Sequence, residues 1–398
     1  MGLTIGIVAN EPSGDQLGAL LLRALREQMP DARFVGVAGP LMQAEGCKTL
    51  MPLERLSVMG LVEVLRVLPD LLRARAELLH HFLAAPPDLF IGVDAPDFNL
   101  GLERRLRAAG IVTVHLVSPT VWAWRAGRVR GIRRAVDLML SIFPFEAEFL
   151  QSQRVPVRYI GHPLADAIPL ETDQAAARAQ LGQSPAGPLV ALLPGSRRSE
   201  VERLAAPLLL TALACHRQRK ALRFIAPMVS PALSRRFDAL RAQLAPALPL
   251  QLVSGQSRTV ITAADLVLTA SGTATLETLL LGRPMLIAYR MHPLTWWLVK
   301  DLRLVKVPYA AMANLLVGRE LAPEFIQGRC DPRWMAPALL ALLDDAPRRA
   351  EVRAEYARVH RLLRRDAART GAAAILELIA ARARPGAASA IADLAAPR

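Results

Sequence analysis

Short apolar runs alternate with longer amphipathic stretches along most of this chain. In the first half the runs cover residues 3–9, 34–38, 89–93, 112–117, 138–142 and 157–160. In the second half they cover 189–193, 222–226, 250–253, 266–269 and 285–288. Continuous apolar runs of this length, bounded by Gly, Pro, Ser or Asp, suit strands buried on both faces of a parallel sheet. Stretches between them, such as 15–27, 100–109 and 275–281, carry apolar residues at helical spacing. Repeated strand–helix alternation predicts a doubly wound α/β fold. It runs twice, and a Pro-, Gly- and polar-rich break at 165–188 separates the two rounds. The pattern predicts two Rossmann-like domains, 1–168 and 169–350, with strand C-terminal ends facing a central cleft where ligands bind. An Ala-, Leu- and Arg-rich helical part follows at 351–384, and 385–398 reads as a flexible tail.

Composition narrows the class. A length of 398 residues suits two domains, and 53% apolar residues supply ample core. The net charge of +14 leaves anionic membranes, phosphorylated substrates and nucleic acid open as partners, and equally fits a solvated Arg-rich surface. Cys47, Cys215 and Cys330 are widely spaced without a CxxC, which argues against a disulfide framework or zinc site and fits a reducing cytosol. No basic stretch with a small-residue cleavage site opens the chain, and no uncharged run reaches the ~18 residues needed to span a bilayer. The expectation is a soluble or peripheral protein.

Several common motifs are missing: GxGxxG after the first strand, GxxxxGK[ST], HExxH and GxSxG. Dinucleotide oxidoreductases, P-loop ATPases, zinc proteases and serine hydrolases lose weight accordingly. What remains is a set of turns at predicted strand ends. Glu11-Pro12-Ser13-Gly14-Asp15 fits a helix N-terminus that receives an anionic or hydroxyl-rich ligand, and fits an ordinary helix cap as well. Asp94 and Asp97 offer two carboxylates at one strand end, suited either to general-base work or to capping the next helix. Trp122 and Trp124 beside Arg125 and Arg128 suit sugar or phosphate contact, or plain packing. In the second half, Gly195-Ser196-Arg197 allows close backbone approach with a guanidinium for a diphosphate. Ser271-Gly272-Thr273 opens a helix as a phosphate cradle, with Glu277 one turn on to accept ribose hydroxyls. Two phosphate-type turns in one half point to a nucleotide diphosphate.

Residues 58–72 are too apolar for a single core-facing stripe and have Arg66, Arg73 and Arg75 among and after them. Val58, Leu61, Val62, Leu65 and Leu68 would lie in a membrane interface, or be buried between domains, with Pro69 breaking or kinking the helix. Residues 294–300, which include Trp296 and Trp297, are a second but weaker candidate for such contact.

Taken in order, these segments resemble the lipid-A-disaccharide synthase family. The resemblance rests on Glu11–Asp15 and 57–65, on Asp94-Ala95-Pro96-Asp97-Phe98-Asn99, and on 117–125 with its Trp-Ala-Trp-Arg. It continues through Pro144-Phe145-Glu146, Gly161-His162-Pro163, 193–197, 271–277, Tyr289-Arg290 and Asn314-Leu315-Leu316. It implies a glycosyltransferase-B fold. It also implies transfer from UDP-2,3-diacylglucosamine to 2,3-diacylglucosamine 1-phosphate, with inversion, giving the β(1→6) disaccharide 1-phosphate and UDP. No metal and no other cofactor is implied, and nucleic acid drops out as a partner. Asp97 would be the base, with Asp94 as orienter or backbone cap. Arg197, Ser196, Ser271, Gly272 and Thr273 would hold the diphosphate, and Glu277 the ribose. Arg290 and Asn314 would sit near the nucleotide. Glu11, Ser13, Trp124 and Arg125 would face acceptor or sugar. The C-terminal helices would pack back on the first domain, and the protein would work on the cytoplasmic face of the inner membrane. The rival readings are the UDP-N-acetylglucosamine transferase of peptidoglycan synthesis, a UDP-sugar epimerase of the same fold, and a non-catalytic sugar-nucleotide binder at the membrane.

Overall fold

The computed structural model describes residues 2–57, 61–124, 126–291, 296 and 308–383. The chain forms two compact units, Met1–Asp166 with Leu363–Arg398, and Ala167–Leu362. The sequence pattern put the return to the first unit at 351, whereas the helix Ala346–Leu363 falls almost wholly within the second unit.

The first unit is built on seven parallel strands: β1 (Thr4–Ala9), β2 (Arg33–Val37), β3 (Cys47–Thr49), β4 (Leu89–Val93), β5 (Val112–Leu116), β6 (Leu138–Ser141) and β7 (Val157–Tyr159). Their order is β3-β2-β1-β4-β5-β6-β7. Ile7 pairs with Gly36 on one side and Ile91 on the other, so β1 and β4 are neighbours where the winding direction reverses. Such a reversal opens a crevice beyond the strand C-terminal ends. All of β4 is buried, as an uninterrupted apolar run requires in a sheet covered on both faces.

The second unit repeats the plan with six parallel strands: β8 (Leu189–Leu193), β9 (Arg223–Met228), β10 (Leu250–Ser254), β11 (Leu266–Ala270), β12 (Met285–Tyr289) and β13 (Glu324–Ile326). The order is β10-β9-β8-β11-β12-β13, and the reversal lies between β8 and β11. β3 and β13 escape the sequence pattern because each is a three-residue edge strand that carries polar residues, Lys48 and Thr49 in one and Glu324 in the other, and so makes no continuous apolar run.

The helices that follow β1, β4 and β11 start two to four residues before the predicted points, at Pro12, Pro96 and Thr273. Proline at the first helical position gives up an amide that would be unpaired anyway and presets φ, so the first two helices begin at their prolines. Of the two expectations for Pro69, a break or a kink, the break does not occur: one helix runs Leu61–Ala84. Proline there costs one internal hydrogen bond, while Ala74, Leu78 and Phe82 anchor the rest of the helix in the core.

The chain returns to the first unit through a close backbone contact. The His162 amide donates to the Leu363 carbonyl at 2.8 Å. Gly161 has φ of 86°, and a Cβ there would stand 2.7 Å from that same carbonyl oxygen, so only glycine fits. The Asp166 carboxylate accepts the amides of Arg365, Asp366 and Ala367, which starts the helix Ala367–Ala383. That helix lies against Pro12–Gln28, with Gly371 above Leu21.

Candidate active site

At the end of β4 the backbone enters the left-handed region at Asp94 (φ 52°) and Ala95 (φ 43°). For residues with a Cβ this stores strain, which gathers at functional turns. The conformation is held from both sides. The Asp94 amide donates to the Leu116 carbonyl at 2.8 Å, and the Asp94 carbonyl accepts Asn99 Nδ2 at 2.9 Å. Ala95 is the helix cap and no side chain caps the helix, so neither carboxylate is spent on that task. Asp97 stands in the first helical turn with its side chain 75% exposed, and its Oδ1 pairs with Arg128 at 2.5 Å. No hydrogen bond from a described residue reaches its Oδ2, which leaves that oxygen available to a substrate proton. Asp94 makes no side-chain bond to a described residue, so its backbone, more than its carboxylate, is what the fold secures.

A buried polar layer lies under this turn. Asn99 Nδ2 also reaches the Val8 and Val93 carbonyls and Asn10 Oδ1. Beside it Glu103 Oε1 and His115 Nδ1 are 2.7 Å apart, both fully buried. Burial pushes the Glu103 carboxyl up, against the pull of His115. At the next strand ends, Val117 has φ of 79° and Trp122 Nε1 donates to Glu146 at 3.2 Å. The Ser141 hydroxyl lies within donating distance of both the Phe143 carbonyl, at 2.9 Å, and Glu146 Oε2, at 3.2 Å. Burial pushes Glu146 up to about 8, with Trp122 and Ser141 opposing it. The sequence quoted Glu146 without giving it this role.

At the end of β1, Glu11 and Ser13 are exposed beside the β4 turn. Glu11 is the helix cap position, and Ser13 lies within the first helical turn. Asp15 is buried and accepts the Leu41 and Met42 amides, so it caps the neighbouring helix Pro40–Ala44 instead of shaping the first turn.

In the second unit a cavity of about 350 Å³ opens at the β8/β11 reversal, and Ser196, Arg197, Ser271, Gly272, Thr273 and Glu277 all line it. The two turns differ in what they offer. The amides of Ser196 and Arg197 already donate to Glu200 Oε2 at 2.9 and 3.1 Å. Those of Gly272, Thr273 and Ala274 find no acceptor among the described residues, at a helix start without a side-chain cap. One free amide cradle is present, not two. The Arg197 guanidinium is exposed and unpaired among described residues. Glu277 pairs with Arg258 Nε at 2.8 Å, a residue with no sequence signal because it lies nineteen positions upstream in a different helix. Glu200 was findable, standing three residues into the helix where a side chain can reach back to the cap.

Two expectations change. Asn314 is fully buried, and its bonds all go inward: Nδ2 to the Ala322 carbonyl and Glu324, Oδ1 from the Leu321 and Ala322 amides. With its donors and acceptor spent it braces the loop before β13. Arg290 is partly buried and donates to the Cys330 carbonyl. Val58 and Arg125 lie outside the described residues, as do the side chains of Leu61, Val62, Leu65 and Trp124. Leu68 is 42% exposed on its helix. No group of three or more His, Cys, Asp or Glu able to hold a metal occurs among the described residues.

The fold is shared with solved sugar-nucleotide proteins. A UDP-GlcNAc 2-epimerase from Neisseria meningitidis, bound to UDP-GlcNAc, superposes with a TM-score of 0.61 at 13% identity, covering 95% of this chain and 100% of that one. Sucrose-phosphate synthase from Thermosynechococcus elongatus gives 0.59 at 15% identity, with 96% and 100% covered. Both likenesses speak to the glycosyltransferase-B architecture alone. Sequence goes further. A lipid-A-disaccharide synthase of Alkalilimnicola ehrlichii is 52% identical over 94% of this chain and 98% of its own length. One of Pseudomonas aeruginosa is 51% identical over 96% and 99%. The family described as lipid-A-disaccharide synthetase matches residues 5–378, from the first residues of β1 into the last helix, and the chain therefore belongs to the lipid-A-disaccharide synthase family.

Proposed function

We propose that the chain joins UDP-2,3-diacylglucosamine to 2,3-diacylglucosamine 1-phosphate, forming the β(1→6) disaccharide 1-phosphate and UDP. The observation that carries this reading is a family match from residue 5 to residue 378, which contains both the β4 carboxylates and the β8/β11 cavity. The acceptor 6-hydroxyl attacks the anomeric carbon. Asp97 Oδ2 takes the hydroxyl proton, the new O–C bond forms, and the bond to the β-phosphate breaks with its electron pair leaving on UDP. Arg128 holds Oδ1 and orients the carboxylate. The free amides of 272–274 and the Arg197 guanidinium meet the charge that grows on the diphosphate. Glu277, aimed by Arg258, accepts ribose hydroxyls.

Both substrates carry acyl chains, so the enzyme must meet a lipid surface. No helix among the described residues is long and apolar enough to cross a membrane. Val67, Leu68 and Leu72 are exposed on the helix Leu61–Ala84, which supports a peripheral contact through that face. The direct test is an assay in detergent with the two lipid sugars. Disaccharide 1-phosphate and UDP should appear in equal amounts; formation of neither would sink the reading.

A further inference from the structure

Next to Asp97 lies a second cavity, of about 380 Å³, wholly within the first unit. Arg104 and Arg128 both line it. Its floor includes Gly101, and its wall has Gly127 and Gly131, where a Cβ would meet nothing within 4 Å. Absent side chains thus keep the groove open. A third cation, Arg75 of the helix Leu61–Ala84, does not line the cavity but stands against its Gly101. A Cβ on Gly101 would stand 2.6 Å from Arg75 Nη1, so the Arg75 guanidinium lies across the helix at the one point without a side chain. Burial, then Arg105 and Arg104, hold Arg75 below the ordinary guanidinium range. Like charges are crowded here, and neither Arg75 nor Arg104 has a carboxylate partner among the described residues. Arg55, also in the first unit, is by contrast neutralised by Asp70 and Glu77. Repelling cations around an open groove lack a counter-ion that a tetrahedral dianion would supply.

We infer that Arg75, Arg104 and Arg128 form a phosphate-monoester site that grips the 1-phosphate of the lipid acceptor and so delivers its 6-hydroxyl to Asp97. The inference rests on the proposed reaction. Of the three, only Arg128 reads from the sequence as suited to sugar or phosphate contact; Arg75 reads with the membrane segment, and Arg104 carries no signal. Arg128 links the two tasks, since it lines the groove and bonds Asp97.

Arg104 is exposed, so Arg104→Glu and Arg104→Lys are expected to fold, and thermal melts check this. In neutral detergent micelles with the phosphorylated acceptor, Arg104→Glu should raise acceptor KM by about tenfold or more, with donor KM unchanged and Arg104→Lys largely restored. Gly101→Ala, which displaces only the end of the Arg75 side chain, should raise acceptor KM less. With 2,3-diacylglucosamine lacking the phosphate, wild type and Arg104→Glu should become equally slow. Equal acceptor KM for wild type and Arg104→Glu would overturn the inference. So would a defect that persists with the dephosphorylated acceptor, or one that appears only on anionic vesicles, which would mark a membrane headgroup site. If wild type itself forms no disaccharide, it is the proposed reaction that fails.

Discussion

At the first sheet the chain turns through the left-handed region at Asp94, Ala95 and Val117. At the second sheet it does so, beside the β8/β11 reversal, at Gly195 (φ 109°) and Gly272 (φ 136°), and only away from that reversal at the non-glycines Gln256 and Gln327. Glycine takes these angles without strain and lets a ligand approach the backbone. A residue with a side chain pays about 1–3 kcal/mol for them and persists only where the surroundings enforce it. The second unit thus offers bare backbone, suited to gripping a phosphate that does not change identity. The first unit tolerates strain, pinned by Asn99 and Leu116, to present carboxylates at a fixed point. On the proposed reaction, strain accompanies the proposed base and glycine the proposed diphosphate cradle.

The sharpest way to break this contrast is Asp97→Asn. It should lower kcat by about 10²–10⁴-fold and leave UDP affinity, measured by calorimetry, almost unchanged. A near-normal kcat would move the reacting group elsewhere. The apolar face of the first unit comes next. Leu68→Glu with Leu72→Glu should weaken co-sedimentation with anionic vesicles by about tenfold or more, and unchanged sedimentation would place the membrane contact on another surface. In the second unit, Gly195→Ala sets a Cβ 2.5 Å from Glu200 Oε2 at a left-handed φ. It should cost more than about 1 kcal/mol of stability and raise donor KM several-fold with acceptor KM unaltered. A rise in acceptor KM alone would dissolve the division between the units.

The smallest effect concerns the polar layer of the first unit. Glu146 is pushed up to about 8 in the folded protein, whereas an unfolded carboxyl titrates near about 4.3. Between these values the folded state holds a proton that the unfolded chain has lost, so stability falls as pH rises and levels off above about 8. Glu146→Gln removes that slope. Its melting temperature should gain on wild type by a few degrees from pH 5 to pH 8, with little difference at the acid end. Parallel pH profiles would mean that Glu146 is ionised in the fold.

Most of both sheets was legible because eleven strands are apolar runs. β3 and β13, at three residues each, left no periodic trace. The turns were legible as sequences, and less so as chemistry. Nothing in the letters says that Asp15 would turn inward to cap Pro40–Ala44, or that Asn314 would spend every bond on its own loop. Those outcomes depend on partners 26 and 7 residues away whose spacing follows from tertiary packing. Arg258 and Glu277, and Arg75 over Gly101, are likewise meetings between helices that no local pattern encodes.

The helix Ala367–Ala383 completes the first unit although the whole second unit precedes it in the chain. On the ribosome the first unit therefore emerges with the flank of Pro12–Gln28 uncovered, and waits while roughly 200 further residues are made. At about 5–20 residues per second that interval is on the order of 10–40 s. The second unit is contiguous and can close first, so the part of the protein that presents the carboxylates is the last to finish folding. A nascent chain halted before Leu363 would carry a whole second unit and an unfinished first one, which on the proposed reaction ties the onset of activity to the end of translation.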